Sequence, residues 1–140
     1  MKLDINDIGL ITGLSLFLGI WLGHVGVRKL EFNFANIKLL SMLFFLMGCI
    51  LEWISITGEI LEWKVIFGVI GVTLIWDALE LFRQEKRVQR GHAPANPSNP
   101  RHQRILQQYS DASILDPFKV DLIKPLTTVF NEKSDEGKDR

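Results

Sequence analysis

The groups in this 140-residue chain that could do chemistry stand at the ends of long apolar runs rather than inside them. His24, Arg28 and Lys29 close the first run, and Asp77 and Glu80 close the last. If those runs lie in lipid, both acids sit close to the hydrocarbon edge, where an ionised carboxylate is costly unless it meets a cation or water. Pairing of Asp77 or Glu80 with Arg28, Lys29 or His24 is therefore the expected chemistry. A helical Glu80–Arg83 pair competes only weakly, at ~0.2–0.5 kcal/mol. The alternative is that all of these side chains reach the headgroups separately.

No catalytic constellation accompanies these charges. Glu52, Glu59 and Glu62 outnumber Lys64 at the other ends of the runs, but their spacing forms no calcium loop. His24, His92 and His102 are scattered, with no Cys or second His at zinc-ligand spacing. Patterns of the G-x-x-x-x-G-K-S/T, G-x-S-x-G or H-E-x-x-H type are absent. Cys49 is the single cysteine, inside an apolar run, and reads as a small hydrophobe. A protein without enzymatic activity, cofactor or metal is expected, with no nucleic-acid partner.

The elements that must position these groups are membrane helices. The mean hydropathy of +0.16 averages two unlike halves. Residues 8–82 carry most of the apolar mass, while residues 83–140 are polar and hold the prolines. Residues 8–27 form a charge-free run long enough to cross a ~30 Å hydrocarbon core. A cleaved signal peptide is the competing reading, but Asp4 and Asp7 oppose Lys2 and no A-x-A-like site follows. Residues 28–38 read as an interfacial connector, residues 39–57 as a second span and residues 58–64 as a turn. A third span ends near Phe82, with Lys64 snorkelling at its start.

Orientation follows from the basic residues. Arg28, Lys29 and Lys38, with Arg83, Lys86, Arg87 and Arg90, outnumber Lys2 and Lys64 on the opposite side by seven to two. The positive-inside rule then puts the first loop and the C-terminal tail in the cytoplasm and the N-terminus outside. Trp21 and Trp76 mark the inner interface, and Trp53 and Trp63 the outer one.

On a helical wheel the first span sorts by size. Gly9, Thr12, Gly13, Ser15, Gly19, Gly23 and Gly26 share one arc, and Leu10, Ile11, Leu14, Phe17, Leu18, Trp21 and Val25 oppose it. In lipid, close backbone approach and dispersion drive helix association, so this arc is expected to pack on another helix of this chain or of another subunit.

The segment Trp76-x-x-x-Glu80-Leu81-Phe82-x-Gln84-Glu85-Lys86-Arg87-Val88-x-x-Gly91, followed by Pro94-x-Asn96-Pro97, resembles the end of a family of small bacterial membrane proteins known only as a domain of unknown function. Gly23-His24, with Lys29 and Glu31 close behind, is similar to that family's first third. The resemblance covers about residues 5–101 and implies a short multi-span bacterial protein, for which the inner membrane is the expected location; it implies no reaction. Residues 102–140 look like an extension, and His92-Ala93 stands where the family leads one to expect more aromatic residues.

The expected organisation is an all-α integral membrane protein with three transmembrane helices in residues 1–91, the third extended into the cytoplasm as a basic stalk of Arg83, Lys86, Arg87 and Arg90. Residues 92–140 read as a Pro-rich linker, a short helix over 101–108 and a mostly disordered tail. The central thirds of the spans offer only Ser15, Ser41, Cys49 and Thr73, with no acid or base for a proton relay. A structural or accessory role in the bilayer, through contact with itself or another membrane protein, is therefore expected ahead of a small oligomeric transporter or channel.

Overall fold

The structure is a computed structural model that describes residues 7–116. It is all-helical, with no strand among the described residues, in the order α1 (Asp7–Asn33), α2 (Ile37–Thr57), α3 (Leu61–Gln89) and α4 (Pro100–Gln108). The chain divides into two compact units, Met1–Glu85 and Lys86–Arg140.

In the first unit, α1, α2 and α3 are each long and apolar enough to cross a membrane, as expected. Their 27, 21 and 29 residues correspond to ~40, ~32 and ~44 Å of helix, so α1 and α3 exceed a ~30 Å hydrocarbon core. The helix α1 runs past Arg28 to Asn33, further than the charge-free run suggests, because residues 28–33 contain no breaker. The expected interfacial connector is thus mostly helix, and only residues 34–36 join α1 to α2. Asn36 caps α2, its Oδ1 accepting from the Leu39 N–H at 3.1 Å. Gly58 ends that helix in extended backbone, its N–H donating to the Ile54 carbonyl at 2.8 Å.

Burial in this unit runs opposite to that of a water-soluble bundle. Phe17, Trp21, Leu22, Phe45, Met47, Ile50, Trp53 and Ile56 are exposed, whereas Glu31, Ser41, Asp77, Glu80 and Gln84 are buried. An apolar exterior of this extent is stable only against an apolar solvent.

The helices α2 and α3 run antiparallel and bring their backbones close together. A β-carbon on Gly48 would lie 2.6 Å from Ile75 Cγ1 and 2.7 Å from the Gly71 carbonyl oxygen. The Ser41 hydroxyl donates to the Ala78 carbonyl at 2.8 Å and the Ser55 hydroxyl to the Lys64 carbonyl at 2.7 Å, fixing both ends of the seam. Ser41, Gly48 and Ser55 recur every seven residues on α2, as do Lys64, Gly71 and Ala78 on α3, the spacing of a left-handed helix pair.

In the second unit α3 ends on a left-handed glycine. Gly91 has φ of 69°, its N–H donates to the Val88 carbonyl at 3.1 Å, and the next N–H, of His92, reaches back to Arg87 at 2.8 Å. This is a Schellman motif. The chain then packs a small core of Val88, Ala93, Ala95 and Ile105, with Leu106 and Ala112 against it. Ala95 N–H donates to the Ser113 carbonyl at 2.8 Å, closing the segment. The helix α4, expected over 101–108, begins at Pro100 behind an Asn99 cap. The linker reading of residues 92–100 is thereby refined into a packed turn region; the expected looseness beyond residue 116 lies outside the described residues.

His102, fully buried, holds this turn through Nδ1, which accepts the Asn96 N–H at 2.8 Å. Arg101 approaches Nε2 at 3.0 Å, yet a neutral imidazole has one acceptor nitrogen. The backbone donor, fixed in direction, takes it, so the Arg101 approach is not a second hydrogen bond.

Candidate functional site

The candidate site is a groove of about 460 Å³ within the first unit, where α1 meets α3. Leu18 and Leu22 of α1, Phe44 of α2, and Ile66 and Ile70 of α3 supply apolar walls. Asp77 stands at the groove with 7% of its surface exposed. A second cavity of about 370 Å³ shares Thr73 and Asp77 and adds Ile20, His24, Val72 and Trp76.

Two glycines of α1 create the approach. A β-carbon on Gly19 would lie 3.2 Å from Thr73 Oγ1, and one on Gly23 would lie 2.5 Å from Asp77 Oδ2. Thr73 is occupied, its hydroxyl donating to the Val69 carbonyl one turn back at 2.7 Å. The Asp77 carboxylate accepts no hydrogen bond among the described residues; its charged neighbours are His24 and Glu80.

The expected small face of α1 is therefore divided in use. Gly19 and Gly23 meet α3, whereas the β-carbon positions of Gly13 and Gly26 have nothing within 4 Å. Gly9 is exposed near the start of the helix.

Of the charges at the membrane edge, the structure brings His24 and Asp77 to one cavity without a hydrogen bond between them. Glu80, 5% exposed, is 3.4 Å from Arg83, whose guanidinium also lies over the Trp76 ring at 4.6 Å. Arg28 and Lys29 are exposed and form no ion pair among the described residues. The stalk residues Arg83, Lys86, Arg87 and Arg90 are exposed.

At the far end of the spans, Glu52 folds onto Gly71, with Oε1 2.8 Å from where that glycine's β-carbon would stand. That oxygen is buried without a hydrogen-bond partner. Glu59 and Glu62 are exposed, and no group of metal-binding side chains forms among the described residues.

The α2–α3 seam and the placement of Asp77 against Gly23 were not singled out from the sequence. The repeat of small residues every seven positions on both helices was available as a signal. The match of Gly23 to Asp77 was not, because it depends on how α1 and α3 are aligned.

The family described as Domain of unknown function (DUF4491) matches residues 6–99. The chain belongs to that family. No curated protein and no solved structure matches the chain.

Proposed function

We propose that this member of a family of unknown function is a bacterial inner-membrane protein that works without catalysis, as an accessory subunit held to itself or to another membrane protein through α1. In this reading the N-terminus is outside, and the stalk of Arg83, Lys86, Arg87 and Arg90 stands in the cytoplasm against anionic lipid. The observation that carries it is the bareness of α1: none of its apolar window is buried, against 28% for α3. Gly13 and Gly26 leave open space on that helix, the close-approach surface that association in lipid uses.

The test is energy transfer between labelled chains in vesicles, read as lipid is added to dilute them. Association that persists on dilution, and falls in Gly13→Ile with Gly26→Ile while thermal stability holds, supports the reading. Association unchanged by both substitutions, or absent in the native chain together with absence of a stable membrane partner in cross-linked cells, rejects it.

A second reading, a small oligomeric transporter or channel, draws support from Asp77, which lines two cavities. Flux of ions or cationic dyes into liposomes, abolished by Asp77→Asn, would favour that reading over the first.

A further inference from the structure

The groove between α1 and α3 is greasy along its walls and carries a carboxylate that accepts no hydrogen bond among the described residues. We propose that it binds a lipophilic monocation, with the positive charge at Asp77 and an apolar body lying between Leu18, Leu22, Phe44, Ile66 and Ile70.

Size and lining fit such a ligand. A volume of about 460 Å³ is within the ~300–1,000 Å³ range of small-molecule sites, which are mostly apolar with a few polar groups that fix orientation. Thr73 has already spent its hydroxyl hydrogen on Val69, so it supplies no proton to the carboxylate. Besides the Ser15 and Thr73 hydroxyls, the polar side chain facing this space among the described residues is Asp77.

Charge chooses among the possible occupants. Asp77 is more than nine-tenths buried and accepts no hydrogen bond among the described residues, and a buried carboxylate without a partner is strongly disfavoured. Among the described residues no cation of the chain fills that place. Arg28 and Lys29 are exposed, Arg83 is engaged by Glu80 and Trp76, and His24 faces Asp77 through the second cavity without a hydrogen bond. A neutral acyl chain would fill the groove and leave the carboxylate bare, and an anionic amphiphile would be repelled. A cation whose charge is delocalised or shielded by apolar groups satisfies both walls and acid at low desolvation cost.

The experiment uses the full chain in lipid nanodiscs, in mildly alkaline buffer, with labelled tetraphenylphosphonium as probe. Empty nanodiscs set the background from partitioning into lipid. Saturable binding above that background is expected. Asp77→Asn, nearly the same size, should weaken it by about tenfold or more, as loss of one partner of a buried charge pair does. Ile70→Trp, which fills the groove, should weaken it comparably, and circular dichroism should show helix content retained in both. Tetraphenylborate, of like shape and opposite charge, should not compete. Absence of saturable binding, equal binding in Asp77→Asn, or competition by tetraphenylborate would overturn the proposal. Gly13→Ile, at a position outside the groove's lining, should bind as the native chain does, so the groove and the association surface of α1 fail or stand separately.

Discussion

Gly23 of α1 lies directly against the carboxylate of Asp77 on α3: a β-carbon at Gly23 would be 2.5 Å from Oδ2 and 2.8 Å from Oδ1. Real β-carbons do not approach so closely, so Gly23→Ala must push the carboxylate aside or part the helices. Overpacking of this kind costs ~1–3 kcal/mol. Thermal unfolding in detergent should show Gly23→Ala destabilised, and Gly13→Ala and Gly26→Ala unchanged, since open space surrounds both positions. Adding Asp77→Ala to Gly23→Ala should recover most of the loss, a coupling expected only between residues in contact.

The α2–α3 seam is less forgiving, because its neighbours are main chain. At Gly48 an added β-carbon meets the Gly71 carbonyl oxygen at 2.7 Å and the Ile75 nitrogen at 3.1 Å. Neither can rotate away as a side chain would. Gly48→Ala should therefore lower stability more than Gly23→Ala in the same unfolding assay. Ser41→Ala, which removes the bond to the Ala78 carbonyl, should cost less than either, ~0.6 kcal/mol by analogy with interhelical bonds in lipid.

Glu52 bears an opposite expectation. Its Oε1 is buried against α3 without a partner, a state that costs ~1–3 kcal/mol or more for a charged group. Glu52→Gln keeps the shape and removes the charge. Its unfolding midpoint should rise; a fall would mean that the carboxylate is serving a group that the packing does not reveal.

The turn after α3 depends on Gly91. Its φ of 69° costs an L-residue ~1–2 kcal/mol, and an added β-carbon would run into the Asp111 carbonyl oxygen. Gly91→Ala should loosen the segment that Ala95 and Ser113 close. Limited trypsin digestion should then cut faster at Arg101 and Arg104, while far-ultraviolet circular dichroism of the three long helices stays unchanged.

What could be read from the sequence was what depends on composition and period. Charge-free runs located α1 to α3, and the absence of Gly or Pro between Asp77 and Arg90 announced the long α3. The wheel of α1 found its small residues but not their division, because Gly19 and Gly13 look alike until a neighbour is placed beside one of them. The seam of Ser41, Gly48 and Ser55 is hidden in the sequence for a related reason. It holds few glycines on any one helix, and its strength comes from registering them against Lys64, Gly71 and Ala78. The packed turn after Gly91 was least visible, since its core is built from alanines and a histidine and is closed by backbone bonds between distant residues.

Cysteine accessibility in intact cells decides whether the helices thread a bilayer with the basic stalk inside the cell. In a Cys49→Ala background, Gly58→Cys and Arg90→Cys are placed one at a time and treated with a membrane-impermeant maleimide. Labelling is expected at position 58 in intact cells and at position 90 only after the membrane is opened. Labelling at position 90 in intact cells, with position 58 protected, would contradict it.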